Sequence, residues 1–139
     1  MMRAAAYSAL WLLVFAGQAQ TQQYTYVAIS AGYEHTCGIV MGGTANRRAI
    51  CFGDDTYGQS TVPSEVASMP ISVISAGRRH TAALRVVDGA MVCWGWSTFS
   101  GDICSTAVPG SADNRDYAHI CATSAFTCAI KSLTSATSA

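Results

Sequence analysis

The residues able to do chemistry are few. Six are cysteines: Cys37, Cys51, Cys93, Cys104, Cys121 and Cys128. An even number of thiols suits either a disulfide framework or a metal site. Structural zinc favours C-x-x-C knuckles, and none occurs. The segments His35-Thr36-Cys37 and His119-Ile120-Cys121 are H-x-C pairs, a weaker metal signal. Asp54-Asp55 is an adjacent carboxylate pair that would suit acid–base work or a calcium ion, but aspartates of this kind also build turns. No G-x-S-x-G elbow, H-E-x-x-H, phosphate loop or dinucleotide fingerprint is present. No catalytic residue, metal or cofactor is expected from these types and spacings.

These residues sit inside a repeat, and the repeat decides how they are positioned. The segment Ile29-Ser30-Ala31-Gly32-Tyr33-Glu34-His35-Thr36-Cys37 recurs as Ile74-Ser75-Ala76-Gly77-Arg78-Arg79-His80-Thr81-Ala82. A second element follows each copy: Ala49-Ile50-Cys51-Phe52-Gly53, then Met91-Val92-Cys93-Trp94-Gly95. Tyr57-Gly58 answers Ser100-Gly101, and Val62-Pro63 answers Val108-Pro109. A third copy runs from Ile120 to Ile130 with Phe126 in the histidine place, and lacks the second element. A period near 45 residues indicates propeller blades or a solenoid.

Period-two patterning selects the first. Residues 36–41 alternate, and Val73–Ala76, Thr81–Val87 and Ala90–Trp94 are rich in Val, Ile and Thr. Gly42-Gly43 and Asp88-Gly89 stand where hairpin turns belong. No segment after the N-terminal run carries a capped 3.6-residue stripe. The expected fold is all-β, about two and a half blades. Copy one spans about 26–70, copy two about 71–116 and partial copy three about 117–131. Residues 20–131 then form the repeat region, and 132–139 form a Ser/Thr/Ala tail.

The pattern A-G-x-x-H-T, a hairpin, C-[FW]-G and a Gly-centred loop resembles the regulator of chromosome condensation repeat. It is most similar to the secreted, cysteine-bearing branch that includes crinkly-type receptor kinase ectodomains and a secreted β-lactamase inhibitor. The resemblance implies a β-propeller, commonly seven-bladed, that works as a binding scaffold. Seven such units need roughly 315 residues against the 139 here, so a fragment of a longer propeller is expected. Self-association through open blade edges is the alternative way to satisfy them.

Within the repeat, Gly32, Gly77, Gly53 and Gly95 read as backbone positions. His35 and His80, used once per copy, read as hydrogen-bonding residues between blades rather than as catalysts. Trp94 reads as a core anchor. The x-x slot varies between copies: Tyr33-Glu34, Arg78-Arg79, Ser124-Ala125. Variation on a fixed scaffold suits a loop-built binding face. Tyr33, Glu34, Arg78, Arg79, Trp96 and Phe99 are therefore the candidate partner contacts. Cys37 and Cys51 flank the first hairpin and are expected to pair. Disulfides are also expected at Cys93, Cys104, Cys121 and Cys128, with pairing left open.

The compartment follows from the N-terminus. Arg3 precedes an uncharged run from Ala4 to Gly17, too short to span a membrane, which takes about twenty residues. Gly17 and Ala19 are spaced for signal peptidase, so residues 1–19 read as a signal peptide. Eight basic and eight acidic residues give no net charge. That excludes nucleic-acid binding by bulk electrostatics and gives no reason to expect steering to anionic membranes. Membrane insertion is not expected after signal cleavage. The resulting expectation is a secreted, non-enzymatic module for an unidentified protein or peptide. Exchange-factor action on a small GTPase and a secreted propeller enzyme are the rival classes.

Overall fold

The computed structural model describes residues 24–42, 47–96 and 115–132. Among the described residues eight strands make three antiparallel sheets. The first holds β1 (Thr25–Ala31), β2 (His35–Met41) and β3 (Arg48–Gly53) in that order. The second holds β4 (Ile71–Ala76), β5 (His80–Arg85) and β6 (Met91–Gly95). The third is the hairpin of β7 (Tyr117–Ala122) and β8 (Thr127–Lys131). One helical turn, α1 (Ser64–Ala67), lies between the first two sheets in sequence. No helix among the described residues is long and apolar enough to cross a membrane. Residues 1–19, expected to be a signal peptide, together with Gly43, Phe99, Cys104 and residues 133–139 of the tail, lie outside the described residues.

Each sheet begins with the same irregularity. The register shifts between Tyr26 and Ala28, between Ile71 and Val73, and between Tyr117 and His119. A bulge adds local twist, and its recurrence gives the three first strands one shape. β5 is shorter than the apolar run predicted for it. It stops at Arg85, because Asp88 pairs with the Arg85 guanidinium and accepts the Ala90 N–H, folding Val86 and Val87 into an exposed turn.

The core lies between the first two sheets. Cys37, Ile39 and Ala49 of the first meet Ile74, Ala83, Val92 and Trp94 of the second, with Val66 of α1 and Ile71 alongside. These are residues of one pleat face in each sheet, so period-two alternation sets the contact. The face of the first sheet turned away from the second carries exposed Ile29 and Phe52.

Two polar joints connect successive sheets. His35 Nε2 lies 2.8 Å from Thr81 Oγ1, and His80 Nε2 lies 2.9 Å from Thr127 Oγ1. Ser30 Oγ accepts the Ala76 N–H at 2.9 Å, and Ser75 Oγ accepts the Ala122 N–H at 2.9 Å. The joint is thus built twice from the same repeat positions.

The cysteines divide. Cys37 and Cys51 form a disulfide, directly opposite each other on β2 and β3 with Cα atoms 4.1 Å apart. Cys93 is disulfide-bonded as well. The disulfides expected at Cys121 and Cys128 are not formed, since both thiols are free and exposed. The two face each other across β7 and β8. The Thr123 N–H to Phe126 carbonyl bond, two steps along the ladder, makes theirs a hydrogen-bonded pair. Opposed Cβ atoms stand farther apart there than in the closer non-hydrogen-bonded class that Cys37 and Cys51 occupy.

Candidate functional site

Three short turns, one per sheet, lie side by side at one end of the molecule. Gly32 and Tyr33 follow β1, Gly77 and Arg78 follow β4, and Thr123 and Ser124 follow β7. The Tyr33 N–H donates to the Gly77 carbonyl at 3.2 Å, and the Arg78 N–H donates to the Thr123 carbonyl at 3.1 Å. This ladder requires close approach at Gly32 and Gly77. A Cβ at Gly32 would overlap the Gly77 carbonyl, and one at Gly77 would overlap the Thr123 carbonyl.

The strands that end in glycine close the turns from the other side. Gly53 and Gly95 take φ of +114° and +93°, a region that favours glycine. Their positive φ turns the chain so that the Asp54 N–H meets the Glu34 carbonyl at 2.8 Å and the Trp96 N–H meets the Arg79 carbonyl at 2.9 Å. The variable slots and the residues after C-[FW]-G are therefore neighbours in each of the first two sheets.

These neighbours carry aromatic and cationic side chains. The Arg78 guanidinium lies 5.2 Å from the centre of the Tyr33 ring. The Arg79 guanidinium lies 4.6 Å from the Tyr57 ring and 4.8 Å from the Trp96 ring. Tyr57 and Trp96 stack on each other at 5.3 Å. Tyr33 is 68% exposed, and Tyr57 and Trp96 are 39% and 37% exposed. Cation–π contacts of this kind contribute about 0.5–1 kcal/mol each at exposed sites. Of the six predicted contacts, the structure brings together Tyr33 with Arg78 and Arg79 with Trp96. Glu34 is exposed in the same turn as Tyr33, and Phe99 is outside the described residues. Tyr57 joins the cluster without having been singled out from the sequence. Its only signal there was an aromatic beside Gly58 in the loop after C-[FW]-G.

Gln59 was also missed. It is 1% exposed, and its backbone carbonyl accepts both Thr81 Oγ1 and Trp94 Nε1 at 3.0 Å. Its side chain accepts the Tyr57 N–H and donates to Asp54. One buried glutamine thereby fixes the loop that holds Tyr57 against the second sheet.

His35 and His80 lie beneath this surface, each 3% exposed. Thr81 spends its single hydroxyl proton on the Gln59 carbonyl, so it accepts from His35 and places the proton on Nε2. His35 Nδ1 is buried with no partner. Burial, and then the neighbouring His80, holds the His35 pKa below the ordinary histidine value. A neutral imidazole fixed between two sheets joins them structurally.

Asp54 and Asp55 have their oxygens committed within their own loop. Asp54 accepts from Thr56 and Gln59, and Asp55 accepts from Ser60 and Thr61. These bonds, led by the Thr56 and Thr61 hydroxyls, hold both carboxyls below their usual pKa. The pair organises a turn. Among the described residues no three His, Cys, Asp or Glu side chains are grouped to hold a metal ion.

Comparison with known proteins places the repeats. The family model described as the regulator of chromosome condensation (RCC1) repeat matches residues 26–59 and 71–100. The fold is similar to the CRINKLY WD40 ectodomain of the Arabidopsis thaliana receptor kinase ACR4. There the TM-score is 0.57 at 23% identity, covering 79% of this chain and 33% of that one. It is also similar to the entire ectodomain of the Physcomitrella patens receptor kinase CR4. There the TM-score is 0.57 at 28% identity, covering 81% of this chain and 29% of that one. The chain thus spans about a third or less of the structures it resembles. No curated protein matches it.

Proposed function

We propose that this chain, which carries regulator of chromosome condensation repeats, is an extracellular, non-enzymatic protein-binding module and part of a longer propeller. The observation that carries the reading is the aromatic–arginine cluster of Tyr33, Arg78, Arg79, Tyr57 and Trp96. Aromatic and arginine side chains dominate binding energy at protein interfaces. Here they stand on turns that differ between repeats while the joints beneath them are repeated. An extracellular setting is supported by the Cys37–Cys51 disulfide and by the receptor ectodomains among the similar structures.

The test uses the full chain with a C-terminal tag, expressed in cultured eukaryotic cells. The tagged product is expected in the medium, and its retention inside the cells would remove the extracellular reading. The secreted product is then passed over an array of extracellular domains beside the Arg79→Ala/Trp96→Ala variant. At least one domain should bind the parent chain and lose the variant. No bound domain, or equal binding of the two forms, would end the proposal.

A further inference from the structure

The three turns enclose a groove of about 380 Å³, lined by residues that include Ala31, Ala76 and Ala122, with Tyr33, Arg78 and Ser124. That volume lies in the usual range of ligand sites, roughly 300–1,000 Å³. Alanines and glycines make a shallow lining that a peptide backbone can approach closely. Arg78 lines this groove, and Arg79, the next residue of the same turn, lies over the Tyr57 and Trp96 rings. Among the described residues, neither Arg78 nor Arg79 pairs with a carboxylate; the ion pair found there joins Arg85 and Asp88. Their charges lie over aromatic faces, and a guanidinium has five N–H donors with which to meet an acceptor. Asp54 and Asp55, whose oxygens accept from Thr56, Gln59, Ser60 and Thr61, form no ion pair with either arginine.

From this placement we infer that the groove binds an extended acidic peptide, whose carboxylates are taken by Arg78 and Arg79 while its backbone lies along the alanine lining. The inference rests on the protein-binding reading above and names the chemistry of the partner. Carboxylates suit two fixed guanidinium edges because the bonds are charge-assisted and can be bidentate. Glu34, exposed beside Tyr33, adds a repulsive charge and no contact to such a peptide.

The test is fluorescence anisotropy of the secreted chain with a labelled peptide of alternating Asp and Tyr. A second peptide replaces every Asp by Asn. The Asp peptide should bind, the Asn peptide at least about tenfold more weakly, and added salt should weaken the first. Arg78→Gln and Arg79→Gln should each weaken the Asp peptide by about tenfold, whereas Arg48→Gln on β3 should leave it unchanged. Arg78 is exposed and clear of the core, so its variant keeps the experiment readable if Arg79→Gln loosens the Tyr57–Trp96 stack. Absence of binding, equal binding of the two peptides, or indifference to both arginine variants would overturn the inference. If an array partner still binds Arg78→Gln and Arg79→Gln at high salt, acidic recognition fails while the protein-binding module stands. If no array partner binds at all, the module reading itself fails.

Discussion

Replacing Thr81 by valine probes the joint between the first two sheets. Thr81 is fully buried, and its hydroxyl lies 2.8 Å from His35 Nε2 and 3.0 Å from the Gln59 carbonyl. Valine keeps the shape and removes the oxygen. The Gln59 carbonyl retains Trp94 Nε1, so its loss is small. His35 is worse placed, because Nδ1 already lacks a partner and Nε2–H would then lack one too. A buried donor left unpaired costs about 1–3 kcal/mol. With a urea slope of about 1–3 kcal/mol/M for a small domain, Thr81→Val should lower the unfolding midpoint by roughly 1 M. Thr81→Ser keeps both bonds and loses one methyl, about 0.8 kcal/mol. The double variant Thr81→Val/His35→Leu removes both partners and should cost less than the two singles summed. The measurement is equilibrium urea unfolding followed by tryptophan fluorescence. A Thr81→Val midpoint within error of the parent, or one no lower than Thr81→Ser, would refute the tautomer and the joint derived from it.

Two further outcomes follow from the same joints. Gly77→Ala places a Cβ against the Thr123 carbonyl and the His80 ring, so the third sheet must shift. The expected cost is about 1–3 kcal/mol, with faster hydrogen exchange at the Arg78 and Ala122 amides; unchanged exchange would contradict the ladder. His35 has its pKa lowered by burial and then by His80, so the unfolded chain binds its proton first. The stability due to the neutral ring is therefore complete above the unfolded histidine pKa, about 6.5, and is lost as pH falls below it. The urea midpoint should be lower at pH 5.5 than at pH 7.5, and His35→Asn should shrink that difference.

Much of the fold was legible because repeats align residues that no single propensity can. The paired A-G-x-x-H-T segments gave His35 and His80 one position, and a residue used in each unit suits a joint between units. The Cys37–Cys51 pair was readable from a hairpin of the right length. The free state of Cys121 and Cys128 was not. Whether two opposed cysteines occupy a hydrogen-bonded or a non-hydrogen-bonded pair depends on where the ladder starts, and sequence spacing does not reveal that for Cys121 and Cys128. The aromatic–arginine cluster was half legible for a similar reason. Tyr57 reaches Arg79 in the next unit, and Gln59 reaches Thr81 and Trp94 there. Contacts between units need not fall at the repeat offset, so comparing copies does not expose them.

The third unit departs from the joint in a concerted way. In the first two units the histidine ring packs under a glycine, with His35 beneath Gly32 and His80 beneath Gly77. In the third, Thr123 stands in the glycine place and Phe126 in the histidine place. The Thr123 hydroxyl bonds the Phe126 carbonyl and N–H, closing the turn by itself, and Phe126 is 60% exposed. Cys121 also replaces the serine that joins the first two units to their successors. A unit seated on β7 and β8 by the same joint would meet the Thr123 Cβ with its carbonyl, and would find neither the serine nor the histidine. The geometry that links the first three units is consequently not reproduced on this side of the third, whether the neighbour is another blade or another copy. Any association through the exposed Ile130 and Phe126 side must use different contacts. This leaves the groove over the three turns, where the same ladder recurs twice, as the surface on which the repeat itself has been varied.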